Sequence, residues 1–124
     1  MIQVGFGIGA FVAIGLFFVG VRFLVQSRAA ARGFGIPDSE LGEGDRFWLV
    51  KGDRDLACAL LLGVLVLNGS AHVLAWGLLL GAVAPVGDCA IVLTSNGSRL
   101  IALGVHGATA LLMLVGAAAL FIGH

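Results

Sequence analysis

The residues able to do chemistry in this chain are few, and apolar sequence surrounds them: Lys51, Asp53, Arg54 and Asp55 in one run, Asp88 in a second, His106 and Thr109 in a third. A carboxylic acid and an imidazole held at one level are sufficient equipment for general acid–base catalysis, because one can give a proton while the other takes one. Asp88, His106 and Asp55 are therefore the candidate catalytic groups. Lys51, Arg54, Asp55 and Cys58 recur at the i, i+3, i+4 and i+7 spacing of one helical face, so Lys51 and Arg54 can pair with the acids and Cys58 and Thr109 can line the same space. Asp53 points elsewhere. A metal held by Asp55, Asp88 and His106 lacks the close ligand spacing of His-x-x-x-His, so no metal is expected. Neither a nucleophile motif nor a cofactor fingerprint is present, and no cofactor is expected.

The composition says what must position these groups. The chain is 60% hydrophobic and 11% charged, with a mean hydropathy of +1.10, against about 45–50% apolar and about 25% charged residues in soluble domains. Seven bases balance seven acids, which argues against a nucleic-acid partner. Apolar runs cover 2–21, 47–67, 73–93 and 100–122. At about 1.5 Å per residue each can cross a hydrocarbon core about 30 Å thick. The expected fold is all-α, a four-helix transmembrane bundle of antiparallel neighbours forming one domain over 1–124, with the lipid bilayer as its first partner. The first run has no basic flank and no convincing cleavage site, so it reads as a retained helix and not as a signal peptide. The long connection from Arg22 to Arg46 reads as a loop or interfacial segment, with turn-forming Gly33 to Pro37 and an acidic stretch from Asp38 to Asp45. Asn68-Gly69-Ser70 and Asn96-Gly97-Ser98 hug helix ends and read as turns, not as glycosylation sites.

Orientation follows from the bases. Arg22, Arg28, Arg32, Arg46, Lys51 and Arg54 belong to the first connection and its flanks, Arg99 to the third, and the second has none. The positive-inside rule then puts the first and third connections in the cytoplasm and both termini outside, in a multi-pass protein of the cell membrane. Trp48 and Trp76 read as interfacial aromatics at opposite surfaces. From the cytoplasmic ends, Asp55 lies about 12 Å deep, Asp88 about 8 Å and His106 about 9 Å, so three helices bring ionisable groups to one level. A charge facing lipid there costs about 2.5–3.5 kcal/mol. The face should turn inward, with Arg54 bridging the carboxylates. For Lys51 and Asp53 the favoured reading is a polar helix entrance, the base snorkelling and the acid near the positive end of the helix dipole.

Small residues at Gly5, Gly9 and Ala13, and at Gly77, Gly81 and Ala84, let helices approach closely. Packing within one chain is favoured over a homo-oligomer contact, which the same stripes would also suit. Pro85 should kink the third helix and free a carbonyl near Gly81. Cys58 and Cys89 lie in apolar runs, where a thiol behaves as a small hydrophobe.

Four elements carry a family resemblance: Phe34-Gly35-Ile36-Pro37, Lys51-Gly52-Asp53-Arg54-Asp55, Pro85-Val86-Gly87-Asp88 and His106-Gly107-Ala108. Through them the chain resembles, over nearly its whole length, the small membrane family catalogued as domain of unknown function 4267. Asp53 departs from the apolar residue expected between Gly52 and Arg54. The resemblance implies a four-helix membrane fold and no established activity.

The residues thus point first to an intramembrane pocket that binds or transforms a lipophilic small molecule by acid–base chemistry, as an isomerase or cyclase would. A small proton-coupled transporter or channel would use the same acids as a relay. It comes second, because small multidrug transporters of similar size rely on an acid in the first helix, and this first helix has none. The far half offers such a path only Asn68 and His72. The third reading is a structural knot of buried ion pairs.

Overall fold

The computed structural model describes residues 1–37 and 46–124; the acidic stretch from Asp38 to Asp45 lies outside the described residues. Among the described residues the fold is all-α. In chain order the elements are α1 (Ile2–Val25), α2 (Ser27–Phe34), α3 (Arg46–Asn68), α4 (Ala71–Gly81), α5 (Val83–Thr94), α6 (Arg99–Ile101), a π-helical turn (Ala102–Gly107) and α7 (Ala108–Gly123). Among the described residues, three stretches are long and apolar enough to cross a membrane: Ile2–Val25, Ala71–Thr94 and Arg99–Gly123. They are consistent with a membrane protein. Helix α3 has comparable length, 23 residues, but its first half carries Lys51, Asp53, Arg54 and Asp55.

The connection after α1, expected as a loop or interfacial segment, begins with a helix. Helix α1 runs past Val21 to Val25, and a second helix follows at once. The sequence Ser27-Arg28-Ala29-Ala30-Ala31-Arg32 explains this, since Ala and Arg are strong helix formers. Gly35, at φ 103°, ends α2 in the left-handed conformation that glycine adopts without penalty. The apolar face of α2, Ala30, Ala31 and Phe34, is buried.

Two irregularities shape the other long stretches. The α4–α5 rod breaks at Ala82, because Pro85 has no N–H to offer the Gly81 carbonyl. The rod from Arg99 to Gly123 contains the π-helical turn, a form frequent at functional sites.

Helix α1 lies along α3, and glycines set the distance. A Cβ at Gly52 would stand 2.8 Å from Phe23 Cβ and 2.9 Å from the Gly20 carbonyl oxygen, and one at Gly20 would stand 2.7 Å from the Leu56 nitrogen. Near the N-terminus of α1, Gly5 faces Leu120 and Gly9 faces Leu74, so that stripe of small residues is used in packing within the chain. One core gathers Leu62, Leu74, Leu78, Met113 and Leu120. A second gathers Phe23, Phe34, Trp48, Val92 and Ala102. Trp48 is therefore a core residue, stacked on Phe23 at 5.9 Å, and not the interfacial aromatic expected. Trp76 is exposed and donates from Nε1 to His72 Nε2 at 3.2 Å.

The Asn-Gly-Ser segments are turns. Ser70 accepts from the Val73 N–H and Ser98 from the Ile101 N–H, each capping a helix. The Ser98 N–H donates to the Gly35 carbonyl at 3.1 Å, so the first and third connections share one end of the molecule. Helix α3 packs on α1 and meets α4, while α5 leans on the π turn and α7. Between α3 and α5, beyond the bend at Ala82, the helices do not pack closely.

The close α1–α3 approach predicts that Gly52→Ala destabilises by about 1–3 kcal/mol through overpacking against backbone. Gly63→Ala, on the same helix with nothing within 4 Å of the added carbon, should be neutral or slightly stabilising. Melting temperatures of the two variants in one detergent check this.

Candidate functional site

The gap between α3 and α5 is closed at one end by a set of polar side chains centred on Lys51. Its Nζ donates to Asp55 Oδ2 at 3.0 Å, one turn along the same helix, and to Asp88 Oδ2 at 3.4 Å across the gap. The ammonium also lies 5.2 Å from the Phe23 ring centroid and 4.9 Å from that of Phe34, within cation–π range. The Lys51 and Asp55 side chains are 16% exposed and that of Asp88 27%. Two carboxylates and two aromatic faces thus replace the water that a lysine at a helix entrance would keep.

His106 joins from the π turn. Its Nε2 lies 2.9 Å from the Phe34 carbonyl, and its ring 4.4 Å from the Phe34 ring. That carbonyl belongs to the last residue of α2, where helix carbonyls have no partner within the helix. A carbonyl can only accept, so Nε2 carries the hydrogen, and Nδ1 is left facing Asp88 Oδ2 at 3.9 Å.

Arg54 does not bridge the carboxylates; Lys51 does. The Gly20–Gly52 contact fixes the rotation of α3 so that Lys51, Asp55, Cys58, Leu62 and Leu65 face the gap. Arg54 falls to the edge of that face, is exposed, and among the described residues forms no ion pair with either acid. The helix-entrance reading fails for Lys51. Asp53 is exposed and lines no cavity described here.

Above the polar end lies a cavity of about 370 Å³, walled by Leu16, Leu61, Leu65, Val105 and Met113, with Lys51, Asp55, Asp88 and His106 at its base. Cys58 and Thr109 also line it. The Thr109 hydroxyl donates to the Val105 carbonyl at 2.7 Å, and Cys58, like Cys89, is a free thiol. A second cavity of about 320 Å³ shares Lys51, Asp55 and Asp88 with the first and is lined further by Phe47, Trp48, Arg54 and Ile91. Among the described residues no three His, Cys, Asp or Glu side chains converge on a point that could hold a metal ion. The Lys51 ammonium takes the place between the two carboxylates.

The profile of one protein family matches residues 13–120. The chain belongs to that family, described as a domain of unknown function (DUF4267). No curated protein and no solved structure matches it. The region matched to DUF4267 contains Lys51, Asp55, Asp88 and His106, and also Phe34. Sequence reasoning overlooked Phe34 as a site residue, although its backbone holds His106 and its ring holds Lys51. The signal available was Gly35, whose left-handed turn fixes where the Phe34 carbonyl points.

Lys51→Met should leave Asp55 and Asp88 without a counter-charge, at a cost near the lower end of the roughly 3–5 kcal/mol for breaking a buried pair, given the residual exposure. Arg54→Met should cost under about 1 kcal/mol, as for surface charges. Thermal or denaturant unfolding of the two proteins, side by side, measures the difference.

Proposed function

We propose that this DUF4267 protein is a four-helix transmembrane bundle whose central cavity binds a lipophilic small molecule and moves a proton on it. In this reading α3 is the fourth span, its charged half shielded by α1, α2 and α5. The first and third connections face the cytoplasm, and both termini face outward. The shared end of those two connections and the excess of Arg and Lys there support this orientation.

The observation that carries the functional reading is an apolar cavity with ionisable groups at one end only. Ligand pockets of about 300–1,000 Å³ have this character, a largely apolar lining with a few placed polar groups. An aliphatic or ring system fits against Leu16, Leu61, Leu65 and Met113, with the polar end of the ligand at Asp88 and His106. With Nε2 fixed on the Phe34 carbonyl, Nδ1 is the nitrogen left for proton exchange, and Asp88 is its neighbour. A closure of about 1 Å would bring the two within hydrogen-bonding distance of each other or of a ligand atom between them. Asp55 and Lys51 hold the local charge while the proton moves.

A transporter comes second. It draws support from two cavities that share Lys51, Asp55 and Asp88 in their linings, an arrangement that a proton relay would also use.

Asp88→Asn and His106→Gln keep the volume of each side chain, and the glutamine amide can still donate to the Phe34 carbonyl. Both variants should melt within a few degrees of wild type, on the order of 1 kcal/mol. Both should lose conversion of a lipophilic substrate found by incubating wild type with membrane lipid extracts. Lowered melting with proportional loss of activity would instead identify a structural knot. Undiminished conversion by both variants would remove these two residues from the chemistry.

A further inference from the structure

The polar end of the cavity has a chemical bias in both charge and hydrogen bonding. We infer that its ligand is a lipophilic amine, held as an ammonium ion by Asp88 and Asp55, and that it enters in exchange for one proton. The inference rests on the cavity being a ligand site, and it names the ligand class.

Charge comes first. Lys51 offers one positive charge to two carboxylates, so with His106 neutral the group is one negative charge in excess. A part-buried carboxylate without a counter-charge is costly in a medium of low polarity, which favours a further cation or proton. Among the described residues the neighbouring charges do not supply it. Arg54 is exposed at the edge of the second cavity, with no ion pair to either acid among the described residues. Asp53 is exposed, and none of Arg22, Arg28, Arg32 or Arg99 lines either cavity. From α3 the remaining titratable neighbour is the free thiol of Cys58. On α5, Cys89 lines neither cavity. The π turn contributes His106 alone.

Hydrogen bonding points the same way and is independent of the count of charges. Lys51 and His106 approach the Oδ2 atoms of the acids, which among the described residues leaves the two Oδ1 atoms as acceptors. The Thr109 hydroxyl gives its hydrogen to Val105 and so presents lone pairs to the cavity it lines. Gly81 also lines the cavity, and Pro85 deprives its carbonyl of the helical donor. The imidazole hydrogen is committed to Phe34. Acceptors therefore outnumber donors, and a ligand rich in donors and positively charged satisfies them. A carboxylate or phosphate head would meet like charge.

Before the ligand enters, a proton carried by the Asp88–His106 pair, on Nδ1 or Oδ2, supplies the missing charge. The ammonium takes that role when it binds, and the proton leaves to water. One positive charge enters and one leaves, and no covalent bond to carbon forms or breaks.

Cys58 lines both cavities and gives the readout. With Cys89→Ala, it is the sole thiol, and its maleimide alkylation can be timed in nanodiscs of neutral phosphatidylcholine containing equal mole fractions of dodecylamine, dodecanol or dodecanoate. Dodecylamine should slow alkylation on the order of tenfold more than either other compound. Over a range where the amine stays fully charged, its protection ratio should shrink as the pH falls, because protons compete for the site. Addition of the amine to weakly buffered protein should release about one proton per chain, from the count of charges at the site. Asp88→Asn should abolish both the protection and the release. Equal protection by all three compounds, or stronger protection by dodecanoate, would overturn ammonium recognition while leaving the cavity as a ligand site. Protection by none would overturn the cavity reading as well. Amine protection without proton release or pH dependence would overturn the exchange.

Discussion

The Lys51 ammonium, held between Asp55 and Asp88 and against the faces of Phe23 and Phe34, is the interaction on which the site depends. It joins α3 to α5 across a gap that side-chain packing does not close. Its aromatic walls come from α1 and α2, so four elements meet at one charge. The ion pair is part-buried and lines both cavities. A hydrophobic residue at position 51 would leave two carboxylates to each other. A base at position 54 cannot substitute, because the Gly20–Gly52 contact fixes which face of α3 turns inward.

Each backbone irregularity serves this arrangement. The break at Ala82 keeps α5 apart from α3 and leaves the Gly81 carbonyl without its helical donor. The π turn brings His106 to Asp88, and the left-handed Gly35 turns the end of α2 so that Phe34 meets both His106 and Lys51. A regular helix at any of these places would present different side chains to the gap. The cavity is thus a consequence of local departures from ideal helices, and those departures cluster around the ionisable groups.

Much of this was legible in the sequence. Hydropathy and length located the long helices to within a few residues, because Asn-Gly-Ser turns or charges stand at most of their ends, although α1 runs through Arg22 to Val25. Pro85 announced the bend, and depth from the helix ends brought Asp55, Asp88 and His106 to one level. The choice between Lys51 and Arg54 was not legible, since the two lie three residues apart on nearly the same face. The rotation that separates them depends on a glycine contact with another helix. Trp48 was misread for a related reason: its place near a helix end suits an interface, but Phe23 and Phe34 enclose it. Helix α2 is not distinguishable in sequence from a loop or another interfacial segment, because it is short and its apolar face consists mainly of alanines, a weak hydrophobic signal.

In the function we propose, the space above Lys51 holds a molecule and is not incidental looseness between helices. Ala84 lines both cavities and is exposed to them, so Ala84→Phe should fill the space without touching the ion pairs. Native mass spectrometry of wild type and Ala84→Phe protein, released from the same membranes, tests this directly. Wild type should retain a lipophilic adduct, and Ala84→Phe should lack it while melting at or above the wild-type temperature. Identical adducts on both proteins, or none on wild type after saturation with membrane lipid extract, would contradict it.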